Sequence, residues 1–183
     1  NDNLLKNALA MLVVYKLAWT NGPAIGTLAG AALIAPFFLF SGIAGQLADK
    51  FDKAFIAQRL KLMEIAAAAV AALGFVWPSV TLLFVALIAF GTLSAFFGPV
   101  KYGLLPAHLE TRELPAGNAL VEAATFLAIL LGTIGGNFAS GEDHHVSLVA
   151  AGIVVLAIAS YATSRFIPAT GSAAPASPSG LSC

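Results

Sequence analysis

A chain of 183 residues that is 59% hydrophobic and only 10% charged cannot hide its apolar surface as a soluble domain, where about a quarter of residues are charged. Nine basic and nine acidic side chains leave no net charge, which argues against a nucleic-acid surface or broad electrostatic steering. With a mean hydropathy of +0.90, the solvent that makes this composition stable is a bilayer, and Cys183 at the chain end forms no internal disulfide.

Crossing a hydrocarbon core of roughly 30 Å takes about 20 apolar residues. By that ruler the sequence predicts six spans: Asn3–Trp19, Ala24–Ala48, Lys61–Trp77, Val80–Pro99, Asn118–Ala139 and Val146–Ile167. The first is short, and the chain starts Asn1-Asp2-Asn3 with no initiator Met and no basic signal-peptide region. The expected reading is a start cut inside, or just before, the first membrane helix. Thr20–Pro23 and Trp77–Ser79 are tight connections, which make the flanking helices antiparallel neighbours. Asp49–Leu60 and Lys101–Gly117 read as longer, charged links, with Gly98 and Pro99 ending the fourth span. From Pro168 to Cys183 the chain turns rich in Pro, Ser and Ala, and reads as a linker or tail after a bundle covering residues 1–167.

The links also set a direction. Lys50, Lys53, Arg59 and Lys61, then Lys101 and Arg112, then Arg165 fall on one side, while the opposite loops carry no Lys or Arg and only Lys16 lies near them. The positive-inside rule places the basic side, and both ends of this stretch, in the cytoplasm.

Several strings go beyond composition. Gly45-Gln-Leu-Ala-Asp49-Lys50-Phe-Asp52-Lys53 puts a helix-packing glycine and an acid at a helix C-terminus, where the acid opposes the dipole and needs a partner. This pattern resembles the cytoplasmic signature of the major facilitator superfamily, with Asp52 standing where the signature has glycine. Gly132 and Gly136 share one helix face and permit close packing. Gly98-Pro-Val-Lys101-Tyr102-Gly-Leu-Leu-Pro106, followed by Gly117-Asn-Ala-Leu-Val-Glu122-Ala, is similar to the lysophospholipid transporter branch of that superfamily. That branch includes transporters fused to an acyltransferase and an acyl–carrier-protein ligase. Asn1 to Leu9 resembles the same branch's first helix, so the likeness runs to about Pro168.

The resemblance implies an all-α membrane protein, the amino-terminal six-helix half of a facilitator-type transporter, with its carboxy-terminal half missing. It implies a lysophospholipid substrate, lysophosphatidylethanolamine above all, flipped to the cytoplasmic leaflet of the inner (plasma) membrane by alternating access. Gly45, Asp49, Lys50 and Lys53 would form the cytoplasmic latch, and Lys101 and Tyr102 the interface or head-group contacts. Asp2, Asn3, Lys6 and Glu122 are the groups available to substrate or a coupling ion. Asp2 and Lys6, four apart, also read as a solvated terminal pair. Glu122 reads equally as a structural partner of Lys101 or Arg112, and Glu64 as an interface charge satisfied by Lys61.

No catalytic set is present: His108 and Glu113 do not make an acyltransferase pair, and no phosphate loop occurs. His144 and His145, after Glu142 and Asp143, read as a solvated loop with no metal, and no cofactor is implied. Two alternatives stay open. One is a proton-coupled drug or metabolite exporter with Asp2 or Glu122 as proton carrier; the other is a membrane anchor for a fused acyltransferase.

Overall fold

The computed structural model describes residues 22–138 and 146–170, and every regular element among them is helical. The expected first span, with Asp2, Asn3 and Lys6, lies outside the described residues, as do His144 and His145 and residues 171–183. Five helices follow in order: α1 Gly22–Lys50, α2 Lys53–Val76, α3 Val80–His108, α4 Leu114–Phe138 and α5 Val146–Ser164. Four of them (α1, α3, α4 and α5) are long and apolar enough to cross a membrane. The remaining helix, α2, holds Lys53, Arg59, Lys61 and Glu64 in its first half, while everything from Ile65 to Val76 is uncharged.

Two boundaries differ most from the sequence expectation, while α4 starts four residues before Asn118 and α5 ends three before Ile167. The sequence predicts the third span from Lys61, yet α2 starts at Lys53. Asp52 caps it, its Oδ1 accepting from the Phe55 N–H at 2.9 Å, which satisfies one of the orphan donors of the first turn. Arg59 faces outward, while Ala54, Ile56 and Ala57 are buried. The expected twelve-residue link therefore shrinks to Phe51 and Asp52. The sequence predicts an end of the fourth span at Pro99, but α3 runs through Pro99 and Pro106 to His108. A proline removes one helix hydrogen bond and kinks the axis, and membrane helices tolerate that where neighbours restore the packing. Here Val100 packs against Ala48, Ile56 and Ala57. Leu109 ends the helix by donating its N–H to Leu105 O at 2.9 Å.

The Trp77–Ser79 turn is as tight as expected. Ser79 caps α3, and α2 and α3 pack along their length. Packing does not otherwise follow chain order. α3 lies between α1 and α2, and α2 lies between α3 and α5, while α4 meets α3 more lightly. α1 and α2, joined by two residues, barely touch.

The main core is built at helical spacing. Ala67, Ala68, Ala71 and Phe75 of α2 meet Leu83, Leu87 and Phe90 of α3 and Ile153 and Ala157 of α5. Alanine on the middle helix lets its neighbours approach closely, the usual basis of packing in lipid. At the α1–α3 crossing the fit is tighter still. A Cβ on Gly91 would sit 2.4 Å from the Leu33 carbonyl oxygen, so only glycine admits that approach. Outside, Phe38, Leu39, Leu120 and Phe166 are exposed, the inverse of a soluble protein and the surface a bilayer covers.

Candidate functional site

The string around Lys101 and the string around Glu122 come together between α3 and α4. The Tyr102 hydroxyl donates to Oε1 of Glu122. One turn away, Lys101 Nζ donates to Thr125 Oγ1 at 3.1 Å, and the Thr125 hydroxyl donates to the Val121 carbonyl at 2.7 Å. The Lys101 ammonium also sits 4.6 Å from the centroid of the Tyr102 ring, within cation–π range. Glu122 and Thr125 are three apart in α4, hence on one face, and Lys101 and Tyr102 reach them from α3.

This corrects the expected partners of Glu122. Neither Lys101 nor Arg112 pairs with it: Lys101 takes Thr125, and Arg112 Nε pairs with Glu110 at 2.9 Å in the exposed link. The reason is reach. Glu110 precedes Arg112 by two residues in the same turn, whereas Glu122 lies more than two helical turns into α4. Thr125 was not singled out from sequence, although its position one turn beyond Glu122 marks it. The cluster thus offers an ammonium, a phenol, a carboxylate and a hydroxyl side by side at the border of two apolar helices. That set can bind a phosphate with its cation and an ammonium or hydroxyl with its acid.

The loop string behaves differently. Gly45 has open space where a Cβ would sit, so among the described residues no helix makes the close approach expected there. Asp49 is exposed at the end of α1 and forms no ion pair with another described residue. Lys50 lies over the ring of its neighbour Phe51, 5.6 Å from the centroid. Lys53 lies along α3, where its Cε is 2.7 Å from the position a Cβ on Gly103 would take. Asp52, the departure from the signature, is the residue that bonds. Besides capping α2, its Oδ2 accepts from the Thr170 N–H at 2.9 Å, and Thr170 Oγ1 accepts from the Lys53 N–H at 3.1 Å.

Glu64 is buried and Lys61 Nζ meets its Oε2 at 2.6 Å, as expected of an interface charge. The same ammonium stands 4.3 Å from the centre of the Phe97 ring on α3. Gly132 is half-buried and Gly136 buried, in a helix whose side chains are otherwise mostly exposed.

Long apolar helices with outward-facing Phe and Leu, and polar groups gathered between helices or at their ends, define a multi-pass helical membrane protein. Relatives give the class a particular direction. The chain is 30% identical over 145 residues to the lysophospholipid transporter LplT of Serratia proteamaculans (strain 568), covering 79% of this chain. It is 32% identical over 142 residues, 78% of the chain, to the lysophospholipid transporter LplT of Salmonella heidelberg (strain SL476). A protein of the same name from Salmonella schwarzengrund (strain CVM19633) is 31% identical over 142 residues. The chain spans about a third of the length of these relatives, the aligned part being 34% of each. The likeness to lysophospholipid transporters carried by the Lys101 and Glu122 strings is met by relatives of that name. No protein-family model and no solved structure matches the chain.

Proposed function

We propose that this chain forms part of a membrane transporter that moves lysophospholipid, chiefly lysophosphatidylethanolamine, to the cytoplasmic leaflet by alternating access. The observation that carries the reading is that the two strings resembling lysophospholipid transporters, carried on successive helices, meet as one polar cluster. Tyr102 bonds Glu122 and Lys101 bonds Thr125 between α3 and α4. A zwitterionic head group needs both signs near an apolar track, and the cluster supplies both.

In this reading residues 3–19 complete a six-helix bundle of the major facilitator type, with Asp2, Asn3 and Lys6 joining Glu122 around substrate or a coupling ion. The remaining length of the relatives would supply the second bundle. The ends of α1, α3 and α5 and the starts of α2 and α4 share one side, which carries Lys50, Lys53, Lys101, Arg112 and Arg165. That side faces the cytoplasm of a cell inner or plasma membrane, and Asp49, Lys50 and Lys53 would latch against the second bundle there.

The test is lysophosphatidylethanolamine translocation in vesicles holding the full-length parent, with and without an imposed pH gradient. Saturable translocation that protein-free vesicles lack is expected. Absence of translocation would overturn the reading. Gradient-dependent transport of amphipathic cations in its place would favour the exporter.

A further inference from the structure

Lys61 borders two spaces. With Glu64, Ser94 and Phe97 it lines a hollow of about 10 Å³, room for one water. With Phe97 it also opens on a cleft of about 330 Å³ whose other wall is Ser160, Thr163, Ser164 and Ile167. An ammonium carries three N–H donors. Glu64 takes one and the ammonium also faces the Phe97 ring, so at most two donors are left to share between the hollow and the cleft.

The opposite wall offers a complementary set. Thr163 Oγ1 donates to Ala159 O at 2.9 Å and Ser160 O at 3.0 Å, and Ser164 Oγ donates to Tyr161 O at 2.7 Å. Both hydroxyl oxygens keep lone pairs for an incoming donor. The Ser160 hydroxyl has no hydrogen bond to another described residue, and can itself donate. The depth fits a lipid. α5 has 19 residues and measures roughly 28 Å, about the hydrocarbon thickness, so a span centred in the bilayer brings its last turn to the boundary where head groups begin. Leu62, Met63, Leu156 and Ile158 are exposed on the same two helices, an apolar surface of the kind acyl chains cover.

We propose that this cleft holds the head group of a membrane phospholipid of the ethanolamine class. Its phosphodiester meets Lys61 and Ser160, and its ammonium meets the oxygens of Thr163 and Ser164. Because Glu64 leaves the lysine pair neutral overall, a zwitterionic head group suits the cleft better than a phosphate monoester. The site lies between α2, α3 and α5, apart from the Lys101–Glu122 cluster, and does not rest on the transport reading.

The test is native mass spectrometry of the full-length parent in detergent with added phosphatidylethanolamine, phosphatidic acid or diacylglycerol. One retained equivalent of phosphatidylethanolamine is expected. It should weaken about tenfold in the cleft-filling pair Ser160→Leu with Thr163→Leu, and in Lys61→Gln combined with Glu64→Gln, which strands neither charge. Diacylglycerol should fail to compete. Folded variants with wild-type retention would overturn the proposal, as would displacement by inorganic phosphate alone, which would make the site one for the free ion. A second measurement needs no variant. Phosphatidylethanolamine carrying a photoreactive group beside its phosphate should label residues 160–164 of the wild-type protein, and labelling confined elsewhere would contradict the site.

Discussion

The Thr170 N–H donates to Oδ2 of Asp52 across 118 positions of chain, at 2.9 Å, while Oδ1 of the same carboxylate caps α2 through Phe55. One side chain therefore starts a helix and ties the segment leaving α5 to the α1–α2 link. Thr170 answers by accepting from the Lys53 N–H, so a change at Asp52 strips two main-chain donors of their acceptor and a change of the Thr170 side chain strips one.

Asp52→Ala should cost about 1–2 kcal/mol, the usual loss for a removed N-cap. It should also free the segment around Thr170 for protease attack, since backbone without partners opens locally. Asp52→Asn keeps an acceptor oxygen for the cap and should lose less. Melting of the purified protein, with limited proteolysis after α5, measures both. Equal melting for wild type and Asp52→Ala would remove the tie from the account.

Gly91 and Gly45 should part company under the same change. Gly91→Ala places a methyl against the Leu33 carbonyl, and overpacking of this kind costs about 1–3 kcal/mol. Gly45→Ala meets open space and gains helix propensity, so stability should hold or rise slightly. Thermal melts of the two variants decide it, and a reversed order would put the close approach at the wrong crossing.

The buried pair predicts non-additivity. Lys61→Ala or Glu64→Gln alone strands or empties one side of a contact in which Glu64 is nearly fully enclosed. Breaking a buried pair costs about 3–5 kcal/mol, reduced here because the lysine is partly open to the cleft. Changing both residues to neutral ones should cost less than the two single losses added, by 0.5 kcal/mol or more. A double-mutant cycle in denaturant reads the coupling directly, and simple additivity would mean that the two side chains do not support each other.

Much of this arrangement was legible in the residues. The spans from Val80, from near Ala24 and from Val146 follow from apolar length, and the Trp77–Ser79 turn from its proline and brevity. The start of α2 was not, because Lys53, Arg59 and Lys61 look like a loop unless the alternate burial of Ala54, Ile56 and Ala57 is known. Pro99 misled for a related reason: a proline marks a lost hydrogen bond, not whether neighbours hold the helix together beyond it. Gly91 was silent, since a glycine in an apolar run does not say which backbone approaches it. In the site, Lys101, Tyr102 and Glu122 stood out by resemblance, but their pairing did not. Which of two cations or a phenol reaches a carboxylate depends on how α3 meets α4, and no spacing rule reports that.

The polar cluster predicts transport defects without folding defects, because Tyr102 is exposed and its loss leaves no buried hole. The most direct measurement is lysophosphatidylethanolamine translocation by the full-length parent in vesicles, comparing wild type with Tyr102→Phe, Glu122→Gln and Lys101→Gln. The account predicts that each variant keeps wild-type melting and falls at least tenfold in translocation, with Glu122→Gln the most affected. Wild-type rates in all three would contradict it.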